Sequence, residues 1–205
     1  WAPSCPYSGA VLVLDRDKSD GSLKFSEIHK QGEDGVDGIE KGAGSLIISP
    51  DQKNLYVASK EGLGSFSRDL ATGKLTFLGV HKDSSDGPIY MFGDSALAFS
   101  PDGNFLYVGG TYSESIAAFK RDQETGSLEP VSSYTDLGTK GPHGIAITPD
   151  GRHMYVTFPS AGRMKLFVRD QNTGALVESG ILQNMSYLEE NTGVLVSTDG
   201  QFVYA

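Results

Sequence analysis

Carboxylates, aromatic rings and a few cationic side chains gather in the irregular stretches of this 205-residue chain. Glu33, Asp34 and Asp37 share one such stretch. Asp86 and Tyr90 fall in a second, Tyr112 and Glu114 in a third, and Glu189 in a fourth. Carboxylates converging from separate segments suit a hard cation such as Ca²⁺, which takes oxygen ligands. Aromatic faces beside carboxylates suit a sugar or a cationic ligand. His143 adds the one side-chain type that exchanges protons near neutral pH. Arg163 lies in a further irregular stretch with Phe158 and could cluster with His143 and a carboxylate. These ten residues form the candidate binding set, and solvated loops that confer solubility are the plainer reading of each one.

Other groups carry less. Asp15, Asp17, Ser19, Asp20 and Gly21 loosely resemble a calcium loop, but the glycine falls one position late. His81 with Asp83 and Asp86 lacks a second histidine nearby. Cys5 is the single cysteine, which excludes an internal disulfide framework. Phosphate loops, Cys/His zinc clusters and nucleophile elbows are absent, so no catalytic set is assigned. Asn184-Met185-Ser186 is a glycosylation sequon, relevant only on a eukaryotic secretory route.

The elements that must position these residues repeat. Ser49-Pro50-Asp51-Gln52, Ser100-Pro101-Asp102-Gly103, Thr148-Pro149-Asp150-Gly151 and Ser197-Thr198-Asp199-Gly200 recur at intervals of 51, 48 and 49 residues. A short apolar run precedes each, and an apolar residue followed by tyrosine comes after it: Leu55-Tyr56, Leu106-Tyr107, Met154-Tyr155 and Val203-Tyr204. Pro and Asp/Gly between β-rich runs is hairpin chemistry. A second signature, Arg16-Asp17, Arg68-Asp69, Arg121-Asp122 and Arg169-Asp170, closes a further strand and leads to a glycine turn and a leucine. Its recurrence at equivalent positions points to a structural turn rather than to catalysis.

Each unit therefore holds four short strands, the pattern of a β-propeller blade. One four-stranded sheet cannot bury both faces alone, whereas stacked sheets can. The expected fold is all-β, a propeller of four four-stranded blades. It forms a single domain over 1–205, with blade units near 192–205 plus 1–30, 43–80, 94–133 and 143–183. The last unit stops after its second strand and the chain opens with a third, so the last blade is expected to close through both terminal strands. That closure fits either a monomer or two chains swapping ends into an eight-bladed ring.

Antiparallel order puts the short regular turns on one rim and the longer, dissimilar loops on the other. Variable loops on a rigid scaffold are where binding usually sits. Net charge is −9, without the basic footprint that nucleic acid requires. No run approaches the length of a membrane span. The 26 glycines and 9 prolines follow the recurring turns rather than a collagen-like period.

The stretch from Ser100-Pro101-Asp102-Gly103 to Tyr107-Val108 resembles the repeats of lactonase-like β-propellers. So do Phe119-Lys120-Arg121-Asp122, Thr173-Gly174-Ala175-Leu176 and Gly141-Pro142-His143-Gly144. That family includes 6-phosphogluconolactonase and carboxymuconate-cyclising enzymes. The resemblance implies seven blades and an axial site built from polar residues of several blades. His143 is similar to the histidine of the family's Gly-Pro-Arg-His pattern, with the arginine absent and the histidine shifted. Gly35-Val36-Asp37-Gly38 looks like a linker of secreted tandem-repeat relatives. The expectation is an extracellular binding or assembly module that uses the long-loop face for a small molecule, glycan or protein. It needs no cofactor, with Ca²⁺ as the candidate ion. The alternatives are a lactonase- or isomerase-like enzyme acting at the axis, and a fragment or half of a larger propeller.

Overall fold

A computed structural model describes residues 9–39, 43–60, 62–82, 95–111, 113–135, 137, 141–183 and 193–205. The chain is all-β. Strands β1 (Ala10–Arg16) and β2 (Leu23–Lys30) pair as a two-stranded sheet. The first four-stranded sheet is β3 (Ala43–Ile48), β4 (Asn54–Ser59), β5 (Gly62–Arg68) and β6 (Leu75–Lys82). The second is β7 (Ser95–Phe99), β8 (Phe105–Gly110), β9 (Ser115–Arg121) and β10 (Leu128–Tyr134). The third is β11 (Gly144–Ile147), β12 (His153–Phe158), β13 (Arg163–Arg169) and β14 (Leu176–Leu182). Strands β15 (Leu195–Val196) and β16 (Val203–Tyr204) form a second two-stranded sheet. All pairings are antiparallel and follow chain order. One 3₁₀ turn, Pro159–Ala161, interrupts the strands.

The closing blade expected from the repeat does not appear as one sheet among the described residues. There β15–β16 and β1–β2 are separate two-stranded sheets. Neighbouring sheets meet in series through their first strands, β3 with β7, β7 with β11 and β11 with β15. Phe105, Tyr107, Met154, Phe158 and Phe167 fill the interface between the second and third sheets. Tyr56, Leu63, Leu106 and Phe119 fill the one before it. Strands β4 and β8 are buried along their whole length, as expected of strands sandwiched on both faces. Each fully buried aromatic side chain contributes about 1.5–3 kcal/mol relative to exposure.

Turn chemistry sets the register. Ser49 Oγ donates to Asp51 Oδ1 at 2.6 Å and accepts from Asn54 N at 3.0 Å, while Gln52 adopts a left-handed φ of 63°. Ser100, Thr148 and Ser197 make the same contacts in their units. On the other hairpin, Asp122 Oδ1 accepts from the backbone of Glu124 and Thr125. Asp69 and Asp170 repeat this pattern. The recurring Arg-Asp aspartates are thus turn caps.

The recurring arginines clamp adjacent sheets. Arg121, 3% exposed, extends from the second sheet into the Ser-Pro-Asp turn of the first. Its Nη2 donates to both Asp51 oxygens at 3.0 and 2.9 Å, and its Nε donates to Tyr56 Oη at 3.1 Å. Tyr56 Oη in turn donates to Gly126 O at 2.7 Å. One sheet later, Arg169 Nε donates to Tyr107 Oη at 2.6 Å, and Tyr107 Oη to Gly174 O at 2.9 Å. The Arg169 guanidinium also lies 5.1 Å from the centre of the Phe105 ring.

Two outcomes are expected. Arg121→Ala should cost about 3 kcal/mol in urea unfolding, because it strips a buried polar cluster of its centre. Lys120→Ala, at an exposed neighbour, should stay within about 0.5 kcal/mol. The second concerns acid. Burial acts to raise the Asp51 carboxyl, but hydrogen bonds from Ser49 and Arg121 outweigh it and hold the pKa at about 2. A depressed carboxylate stabilises the fold fully above its ordinary value of 3.8, and that stability is lost as pH falls towards about 2. Thermal melts across this window should lose their acid-side slope in part in Asp51→Asn.

Candidate functional site

The long-loop rim of the second and third sheets is built around a tightly held segment, 141–143. Gly141 N donates to Thr111 O at 2.9 Å, and Thr111 Oγ1 donates to Pro142 O at 3.3 Å. A Cβ on Gly141 would overlap the backbone of Gly110 and Thr111, so glycine is required for this approach. His143, half-buried, then enters β11 with its backbone N donating to Thr157 O at 3.1 Å. Next to it, Gly144 makes room for the Thr157 hydroxyl, which would lie 2.8 Å from any Cβ there. Thr157 Oγ1 is buried and has no hydrogen-bond partner among the described residues. A buried hydroxyl without a partner is costly and marks a place where a ligand atom would be welcome.

Arg163 opens β13 at the same rim, after the 3₁₀ turn and the left-handed Gly162, and pairs in register with Phe158. It is half-buried. Glu114 sits in the β8–β9 loop at a left-handed φ of 51° and is exposed, beside the Ser113–Ser115 hydroxyl pair at 2.8 Å. The sheet order therefore places His143, Arg163 and Glu114 on one rim, and no hydrogen bond or ion pair links them among the described residues.

The acidic first crossing is occupied with its own structure. Asp37 Oδ2 meets Lys82 Nζ at 2.7 Å, and its Oδ1 accepts from Gln31 Nε2 at 2.9 Å. The Lys82 hydrogen bond above all, then the one from Gln31, hold its pKa at about 2. Gln31 Oε1 also accepts from Ile39 N, so the pair latches this crossing to the first sheet. Glu33 pairs with Lys30 at 3.3 Å on the surface, and Asp34 takes a left-handed turn position. Asp86, Tyr90, Tyr112 and Glu189 lie outside the described residues, as do Cys5 and the sequon.

Among the described residues no three His, Cys, Asp or Glu side chains gather to hold a metal ion. Asp17 and Asp20, in the stretch that loosely resembles a calcium loop, instead accept turn hydrogen bonds from Ser19 and Ser22. The His81 ring lies against Phe119, and burial pushes its pKa down. No helix among the described residues is long and apolar enough to cross a membrane.

Two features escaped the sequence reading. Thr157 looked like any strand threonine, and only packing shows its hydroxyl to be orphaned. Lys165, 6% exposed, pairs with Glu178 at 2.8 Å, and Tyr134 of the preceding sheet donates to the same carboxylate oxygen at 2.8 Å. Burial acts to raise Glu178, but these two donors bring its pKa down. The available signal was a lysine inside the apolar run Met164–Phe167.

The family model of the lactonase seven-bladed β-propeller matches residues 5–135 and 90–196. A 6-phosphogluconolactonase of Formosa agariphila is 31% identical over 90 residues, covering 42% of this chain and 24% of the relative. A candidate 6-phosphogluconolactonase of Bacteroides uniformis superposes with a TM-score of 0.70 at 21% identity, over 86% of this chain and 49% of that one. The periplasmic gluconolactonase of Pseudomonas aeruginosa gives a TM-score of 0.62 at 22% identity, over 74% of this chain and 42% of its own. The chain thus spans about half the length of these solved structures. With repeating antiparallel sheets, arginine clamps between them and a family match along nearly all its length, the chain belongs to the lactonase β-propeller family.

Proposed function

We propose that this chain takes part in opening the cyclic ester of a sugar acid, with phosphorylated gluconolactone as the first substrate to test. The observation that carries this reading is the family match, together with the similarity to proteins named as 6-phosphogluconolactonases. It corrects the expectation of a non-catalytic binding or assembly module, which rested on regular blades, acidic linker-like crossings and the absence of an assembled catalytic set in the sequence. The relatives with curated names are lactonases, and the enzymatic alternative fits them better.

In this reading the work is done on the rim of the second and third sheets. Lactone hydrolysis needs a base to take a proton from water as its oxygen attacks the carbonyl carbon. It needs a donor for the oxyanion that develops, and then loss of the ring oxygen, which takes up a proton. His143 is the group with the right proton chemistry. The Thr157 hydroxyl, unpartnered among the described residues, is the donor, and Arg163 holds the phosphate of the phosphorylated lactone. The four repeats act as blades, with the two half-sheets as the inner and outer halves of blades.

The test is saturable ring opening by the purified chain across phosphorylated and plain aldonolactones, followed by acid release. Turnover should fall about 10²- to 10⁴-fold in His143→Ala. Thr157→Val should lower kcat while the melting temperature stays level or rises, since it removes an unpartnered buried hydroxyl. A folded chain that opens no lactone faster than buffer would overturn the proposal.

A further inference from the structure

The segment that carries His143 is seated on the second sheet by a side chain that is missing there. In each four-stranded sheet one residue of the second strand pairs with a residue near the start of the first: Ser45↔Ala58, Ala96↔Gly109 and Gly144↔Thr157. Alanine and threonine fill this position in the first and third sheets, so the strand itself tolerates a side chain. The glycine of the second sheet has an outside cause. A Cβ on Gly109 would stand 2.6 Å from Pro142 Cγ and 3.1 Å from Ile145 Cδ1, inside van der Waals contact. The buried Pro142 ring occupies the notch that Gly109 leaves.

The segment has little freedom elsewhere. Gly141 N donates to Thr111 O at 2.9 Å, and Thr111 Oγ1 donates to Pro142 O at 3.3 Å. On the other side His143 N donates to Thr157 O at 3.1 Å. The chain thus leaves the second sheet at Pro142 and joins the third at His143, with no residue between them to absorb a shift. The proline ring is rigid and fixes its own φ. A methyl group placed in the notch therefore cannot be avoided by turning a side chain, and the displacement passes to the next residue. Two glycines bracket the histidine: Gly109 makes room for the residue before it, and Gly144 for the Thr157 hydroxyl beside it.

We propose that Gly109 is a positioning residue for the proton-transfer group of the long-loop rim: by leaving the notch open it sets where Pro142 sits, and through Pro142 it aims the His143 imidazole. The inference rests on the reading of His143 as that group. The candidate site then belongs to two sheets, because the second sheet places the histidine that the third contributes. Gly109 touches no substrate in this scheme and acts only through Pro142.

The test reads the imidazole directly, in proton–carbon correlation spectra of the 4 histidines, with the His143 signal identified by its loss in His143→Gln. Gly109→Ala should move that signal by more than its linewidth and leave those of His29 and His81 in place. In a Pro142→Ala background, where the overlapping Cγ is gone, adding Gly109→Ala should leave the signal where Pro142→Ala alone puts it. Ala58→Gly, the reverse exchange at the matching position of the first sheet, should not move it. In lactone opening, Gly109→Ala should lower kcat about 10- to 100-fold with KM held within about twofold. A folded Gly109→Ala chain with an unmoved His143 signal, an equal shift in the Pro142→Ala background, or an equal shift in Ala58→Gly would each overturn the proposal. Should Gly109→Ala fail to fold, Gly109→Ala with Pro142→Ala must fold, and its failure overturns the proposal as well. The spectra need no substrate, so a chain that opens no lactone overturns the proposed function alone.

Discussion

A guanidinium buried between two sheets ties each pair of neighbouring turns together in this fold. Arg121 leaves its own strand, crosses the interface and satisfies the turn carboxylate and the tyrosine hydroxyl of the sheet before it. A buried charge is tolerated only when its donors are met, and here the geometry of two turns meets them. The clamp therefore fixes more than a contact. It sets the distance between neighbouring Ser-Pro-Asp and Arg-Asp turns, and the angle at which the intervening Phe and Tyr side chains pack. Arg169 repeats the arrangement with less charge and more ring contact, since Phe105 replaces Asn54 under its guanidinium. One of its amino groups has no partner among the described residues.

This use of polar residues divides the molecule into two rims with different chemistry. On the regular rim nearly every aspartate is spent on turn N–H groups or on an arginine, which is why so many carboxyl groups there are held below their ordinary values. On the long-loop rim the backbone does the holding. Gly141 and Gly144 let Pro142 and His143 approach the neighbouring strands closely, and the Thr157 hydroxyl is left over. A rigid site with an unspent polar group is what a lactonase face would need. The acidic first crossing is the opposite case, because Asp37 is consumed by Lys82 and Gln31.

The distribution of exposed apolar side chains fits the same logic. Leu12, Leu14, Leu46 and Ile48 are exposed along a groove between β1 and β3. Leu195, Phe202, Val203 and Tyr204 lie where the last inner strands have no outer pair. In the middle sheets the equivalent positions, such as Leu97, Phe99, Phe119 and Ile145, are half-buried or buried. Equivalent residues thus differ in environment only through what is stacked on them.

Period and turn chemistry were legible in the sequence because they are local. The Ser-Pro-Asp and Arg-Asp signatures recur at nearly constant spacing, and each encodes a hairpin through its own hydrogen bonds, so strand number, strand order and the structural role of the aspartates could be read directly. The resemblance to lactonase propellers was legible for the same reason. The site was not. Asp37 reads as a free carboxylate until Lys82, 45 positions away, is placed beside it. Thr157 reads as filler until Gly144 and the next inner strand surround it. Closure through both terminal strands was read from spacing alone, and spacing counts residues without placing one strand beside another. By itself the sequence determined which strands form and which turns join them. Only the tertiary structure decided which polar groups are spent, which are left over and which sheets pack on one another, because those depend on contacts between segments that no local pattern encodes.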